Sequence, residues 1–112
     1  MADYIVRRLS EVEPERSTCG FRQRMIKRDD CEEISCTFLT AHDAKKHYHR
    51  TITELYYVLE GEGELELDGV REPVEAGTAI VIPPGVWHRA IGEFQTLVIC
   101  TPAFREDDQV FE

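Results

Sequence analysis

The stretch His47-Tyr48-His49-Arg50-Thr51-Ile52-Thr53-Glu54-Leu55-Tyr56-Tyr57-Val58-Leu59-Glu60-Gly61 decides how the chain is read. Two histidines one residue apart project to the same side of an extended strand, because side chains alternate with period two. Glu54 stands at an odd offset from both, so an unbroken strand puts its carboxylate on the opposite face. Residues 50–53 must therefore bend the chain, and a bend swings the carboxylate back toward the imidazoles. Two neutral nitrogens and one anionic oxygen converging on a point are the donor set of a borderline divalent cation. His88, just after the rigid turn Pro83-Pro84-Gly85, supplies a fourth donor.

Outward from this stretch the chain reads as a succession of short strands. Residues 54–60 are apolar on both faces, Tyr56 and Val58 on one and Leu55, Tyr57 and Leu59 on the other, which predicts a strand covered on both sides. Gly61-Glu62-Gly63 predicts a tight turn. Residues 64–67 alternate cleanly, Asp68-Gly69 is a two-residue hairpin signal, and residues 70–74 return with Pro73 marking an edge or a strand end. Residues 78–82 (TAIVI) predict a fully buried strand, and residues 94–100 (FQTLVIC) the last long one. Upstream, residues 4–8 predict a short strand that pairs with another sheet edge or a partner subunit. Residues 21–27 predict a second strand with mixed faces, and residues 33–40 a third after the turn at 28–30. Beyond Pro102 the tail carries Phe104 and Phe111 among acids, and is either disordered or pinned by those rings. No segment sustains a helical period. About nine short strands with turn signals between them describe an all-β barrel or sandwich.

The order His, one residue, His, four residues, Glu, six residues, Gly at His47, His49, Glu54 and Gly61 resembles the first motif of the cupin superfamily. Gly77, Pro83, Gly85 and His88 resemble the second. Two positions depart: Ala41 stands where the family carries Gly, and Gly92 where it carries Asn. Neither is a metal ligand in the family, so loop geometry is affected more than metal binding. The resemblance implies a small cupin barrel, the double-stranded β-helix or jelly roll, with one metal near its mouth held by His47, His49, Glu54 and His88. The expected organisation is a single domain over residues 1–112, with a core at about 33–101, N-terminal strands within 4–27 and a C-terminal tail at 102–112. The resemblance does not imply one reaction, since cupins include dioxygenases, decarboxylases, isomerases, epimerases, seed storage proteins and sugar-sensing regulator domains.

Size and composition set the outer limits. A chain of 112 residues suits one domain with one core. Its 42% apolar and 31% charged residues are ordinary for a soluble globular protein. No apolar run approaches the roughly 20 residues a membrane-spanning helix needs, and the N-terminus lacks the basic-then-apolar order of a signal peptide. A cytoplasmic location without membrane partners is the expectation. The net charge of −9 repels phosphate backbones, which argues against nucleic acid. Cys19, Cys31, Cys36 and Cys100 show no close pairing, so reduced thiols are expected. Cys36 and Cys100 lie in apolar runs and read as small buried hydrophobes, with a thiol near the metal as the alternative. His42 reads as a solvated imidazole and not as a fifth ligand.

Three histidines and a glutamate suit Fe(II), Mn(II), Ni(II), Cu(II) or Zn(II), one ion per chain. A six-coordinate ion keeps two positions open for substrate or dioxygen. Tyr56 shares the face of Glu54 and points inward, so Glu54 and Tyr56 are the catalytic candidates. Ala90 shares the face of His88 and leaves room beside the metal; Arg24 and Gln95 can enter from neighbouring strands. An apolar interior with Val58, Ile80 and Ile82 as lining favours a dioxygenase-type enzyme on a small apolar or aromatic molecule. The alternatives are a metal-dependent isomerase or epimerase on a sugar or keto acid, and a non-catalytic metabolite-binding cupin. The two-sided apolar strands need cover, which the second subunit of a homodimer supplies.

Overall fold

The computed structural model describes residues 3–112 and is built almost wholly of strands. In chain order they are β1 (Glu15–Ser17), β2 (Gly20–Ile26), β3 (Ser35–Ala41), β4 (His47–His49), β5 (Thr53–Leu67), β6 (Val70–Glu75), β7 (Ala79–Ile82), β8 (His88–Ile91), β9 (Phe94–Thr101) and β10 (Gln109–Phe111). One face of the barrel follows the order β1-β2-β3-β9-β5-β7, and the other β6-β5-β8-β4-β10. Every pairing is antiparallel. This is the cupin β-barrel that the motif spacing implies.

β5 is the strand that closes the barrel, because it belongs to both faces. Its first half pairs with β9 and β7, and its second half with β6 and β8. The crossing is made without the tight turn expected at Gly61-Glu62-Gly63. The register against β9 slips between Val58 and Glu60, and Gly61 takes φ +87°, a conformation that L side chains rarely adopt. A Cβ on Gly63 would lie 2.6 Å from the Ile91 carbonyl oxygen. The glycines therefore bend a continuous strand and let a neighbour approach, which is how bulges and glycines curve a sheet. The hairpin at Asp68-Gly69 forms as expected, with φ of 48° and 83°.

Alternation along β5 and β9 sends Tyr56, Val58, Val98 and Cys100 into the core beside Leu39, Ile52, Leu65 and Phe94. The opposite faces are less covered than the sequence suggests. Tyr57 is 43% exposed, Leu59 41% and Val81 61%, so β7 is not a fully buried strand. Among the described residues it pairs with β5 alone, and no layer of them covers its outer face.

The N-terminus departs from the expected strand, whereas the tail takes the pinned one of its two expected forms. Residues 4–8 join no sheet; the Arg7 guanidinium holds the segment by donating to Asp30 and to the Met25 carbonyl, both at 2.7 Å. The tail, in contrast, is pinned: a 3-10 turn at Glu106–Asp108 leads into β10, which pairs with β4. Among the described residues no helix is long and apolar enough to cross a membrane.

Candidate metal centre

The two histidines of β4 are both buried, and β8 places His88 directly opposite His47. Between β4 and β5 the chain bends at residues 50–52, as the offset of Glu54 requires. The bend has a specific anchor. The carboxylate of Asp108 accepts the amides of Thr51 and Ile52 at 3.2 Å and the Thr51 hydroxyl at 2.8 Å. The Pro-Pro-Gly turn is tied to the same strand, since the Gly85 amide donates to the His49 carbonyl at 2.8 Å. These two ties set the spacing of donors on three different strands. His47, His49, Glu54 and His88 each offer one ligand atom, and these atoms lie within 4.8 Å of one another.

The protonation of two imidazoles can be read from their partners. Nδ1 of His47 lies 3.0 Å from the Lys45 carbonyl, and Nδ1 of His88 lies 2.9 Å from that of Val86. A carbonyl only accepts, so each Nδ1 carries the proton and each Nε2 presents a lone pair. Nε2 of His88 is 2.9 Å from Oε1 of Glu54, and Nε2 of His49 is 3.1 Å from the same oxygen. Acceptors facing an acceptor need a proton or a cation between them. All three atoms are buried without a hydrogen-bond partner, as is Nδ1 of His49. Spacings of about 3.0 Å are also those of adjacent donors around an octahedral ion with bonds of about 2.1 Å. The donor set thus fits a divalent metal ion, as cupins hold one.

The electrostatics of the centre agree. Burial pushes the Glu54 carboxyl up, but its contacts with His49 and His88 reverse this and hold it well below the usual carboxylate range. Burial, reinforced by the nearby His88, pushes His47 down to about 4. For His88 burial acts downward, and the Glu54 contact overrides it to give a net rise. The centre therefore keeps an anionic carboxylate and a neutral His47 at neutral pH, the forms in which both can bind a cation.

Beside these donors lies a cavity of about 50 Å³, bounded by the β1–β2 hairpin, the inner faces of β3 and β9, and the tail. Tyr56 lines it, and burial together with the Glu54 charge keeps its phenol protonated. Cys19 lines it too, its thiol pushed up to about 11 by burial. Cys100 donates to Oε2 of Glu54 at 3.7 Å, so a thiol does touch the centre. Several expected residues are elsewhere. Val58, Ile82 and Ala90 pack into the core and do not border the cavity. Ala90 stands opposite Leu65, and Gln95 opposite Thr40 and Glu60. His42 is exposed and pairs with Glu93, outside the cluster. Arg24 borders a neighbouring cavity.

Sequence reading missed Asp108, Arg22, Phe104 and Gln109. The last three wall the cavity, and Asp108 holds the bend and lies 3.8 Å from Nδ1 of His49. Only Arg22 left a local signal, through its alternation with buried Gly20 on β2.

The barrel closed by β5 thus carries three histidines and a glutamate, all buried, clustered in its interior. The Cupin domain family matches residues 36–101, and the chain belongs to it. An uncharacterized protein of Methanocaldococcus jannaschii is 37% identical over 71 residues, 59% of this chain and 57% of that protein. The chain thus spans just over half the length of this curated relative. A crystal structure of a protein from Planctomyces limnophilus is 34% identical over 99% of this chain and 97% of its own, with a TM-score of 0.86. Pac13, a nucleoside dehydratase, shares the fold at 18% identity and a TM-score of 0.86 over 97% of this chain and 91% of its own.

Proposed function

We propose that the chain is a metal-dependent enzyme acting on a small polar organic molecule, with one divalent transition metal held by His47, His49, Glu54 and His88. The observation that carries this is the set of buried, mutually facing acceptor atoms, which a proton or cation must bridge. When bound, the metal supplies Lewis-acid polarisation of a substrate oxygen. The chain's own residues do the rest. Tyr56 presents a protonated phenol to the cavity and can donate a hydrogen bond to a substrate oxygen. Arg22 borders the same space and gives its rim a positive charge that attracts an anionic ligand group. Phe104 and Leu39 give the cavity apolar walls that exclude water. The phenol of Tyr56 and the guanidinium of Arg22, two polar groups in a mainly apolar lining, support non-oxidative chemistry such as isomerisation or elimination ahead of the oxygenase reading.

Dioxygenase chemistry is the second reading, supported by the donor set itself, which suits Fe(II). Metal-loaded protein offered a panel of hydroxy acids, keto acids, sugars and phenols, with and without oxygen, separates the two. Turnover without oxygen that survives exchange of Fe(II) for Mn(II) or Zn(II) supports the first. Oxygen consumption tied to product supports the second. Compounds that raise the melting temperature but are returned unchanged would make the chain a metabolite-binding cupin instead.

The same reading extends to assembly: a second copy of the chain covers the apolar outer face formed by Tyr57, Leu59 and Val81, giving a homodimer.

A further inference from the structure

We infer that the ligand of this centre is an anion, and that β2 holds its carboxylate or phosphate group through Arg22 and Arg24. This rests on the reading of the site as a metal-dependent ligand pocket and names the ligand class.

The barrel-facing side of a strand is normally apolar, yet on β2 it carries two arginines. Arg22 stands opposite the core residue Leu39, and Arg24 opposite Thr37. Arg22 borders the metal-side cavity, and Arg24 a second cavity of about 160 Å³. Thr37 and Phe104 line both, so the two spaces are neighbours, and the bridging Glu15 carboxylate places Arg24 beside Arg22. Lys27 and Arg28 border the outer cavity as well. A chain of net charge −9 thus concentrates four cations along one path leading to its metal centre.

The structure already holds a carboxylate between the two guanidiniums. Oε1 of Glu15 lies 3.0 Å from Nε of Arg22 and 2.9 Å from Nε of Arg24. Glu106 meets Arg22 through Nη1 at 3.2 Å. Glu15 and Glu106 are both substantially exposed, so these pairs are weakly held. Asp29 is the acidic group lining the outer cavity. Among the described residues neither terminal nitrogen of Arg24 has a hydrogen-bond partner, which leaves its planar fork for a bidentate oxyanion. Nη2 of Arg22 is likewise unpartnered among them. The Phe104 ring lies under the Arg22 guanidinium, its centroid 6.0 Å from the guanidinium carbon.

Titration calorimetry of metal-loaded protein with pyruvate, benzoate and glycerol phosphate, each against its neutral analogue (pyruvamide, benzamide, glycerol), tests this. At least one anion should bind about tenfold or more tightly than its analogue, a typical effect for a hydrogen-bonded charge. Whether carboxylates or the phosphate ester lead identifies the group. Arg24→Gln should erase the preference with metal content unchanged, and Arg24→Lys should restore part of it. Glu15→Gln removes the competing carboxylate and should tighten the anion several-fold, a gain that no folding defect produces. Anions that bind no better than their analogues, no binding by any probe, or a preference intact in Arg24→Gln would overturn the assignment. An Arg24-dependent preference in protein that never takes up metal would sink the metal reading but leave this one standing.

Discussion

Removal of the metal should have a large effect on stability, and its size follows from three atoms. Nε2 of His49, Nε2 of His88 and Oε1 of Glu54 are buried, close together and without hydrogen-bond partners. Each buried unsatisfied group costs about 1–3 kcal/mol, so an ion that satisfies all three relieves about 3–9 kcal/mol. A domain of this size has only about 5–15 kcal/mol in total. Mass action sets what is seen: metal at a hundred times its dissociation constant adds about 2.7 kcal/mol. At about 4 °C per kcal/mol, that raises the melting temperature by about 10 °C. The assay is a calorimetric melt of chelator-treated protein, repeated after stepwise addition of Fe(II), Mn(II) or Zn(II). His49→Ala and Glu54→Ala should abolish the response to micromolar metal and the metal content itself. A shift below about 2 °C for every metal, with no uptake by elemental analysis, would refute the centre.

Acid should release the ion, since ligating imidazoles must be neutral. With His47 held down to about 4 against a reference of about 6.5, its contribution to stability is complete above about pH 6.5 and lost as pH falls toward 4. The raised His88 runs the opposite way in metal-free protein, and its preference for a proton makes it the site where acid competes with the metal. Metal occupancy after dialysis across this range should fall, and a flat profile down to about pH 4 would count against three histidine ligands. Asp108→Asn should weaken metal binding about 10- to 100-fold, the usual scale for a group that orients a ligand, and direct metal titration would show an unchanged constant if the bend does not matter. Gly63→Ala should cost about 2 kcal/mol or more, because its Cβ would press on the Ile91 carbonyl; denaturant midpoints within error of the parent would disprove the close approach. Sedimentation at micromolar concentration should report a dimer, and Val81→Lys on the exposed outer face should shift it to monomer; a parent that sediments as a monomer ends that proposal.

The centre was legible because its four donors lie within motifs of fixed spacing, and because the offset of Glu54 from His49 forces a bend that can be counted along the chain. The strands were legible from alternation, with errors where local signals mislead. Two glycines around Glu62 read as a turn, but the strand curves through them because β5 must serve two sheets. Residues 78–82 read as buried because every one is small or apolar, yet burial depends on a layer that this chain does not supply over Val81. The residues around the centre were harder. Asp108 acts on Thr51 across 57 positions of sequence, and nothing local to either residue announces the contact.

The origins of the donors and of the cavity wall differ, and this bears on how function is divided within the fold. The donors come from β4, β5 and β8, in the middle of the chain and held by ladder hydrogen bonds on both sides. The wall facing them comes partly from β3 and β9, through Thr37, Leu39 and Val98, and partly from the β1–β2 hairpin and the tail, through Cys19, Arg22, Phe104 and Gln109. Asp108 couples the two parts, because the tail residue that leads into β10 also fixes the bend between His49 and Glu54. A change in the tail can therefore alter the placement of the donors as well as the cavity wall. The family match covers residues 36–101, and so contains all four donors but neither Arg22 nor the tail. Family membership accordingly speaks for the donor set, while Arg22, Phe104 and Gln109 add cavity contacts that lie outside the match.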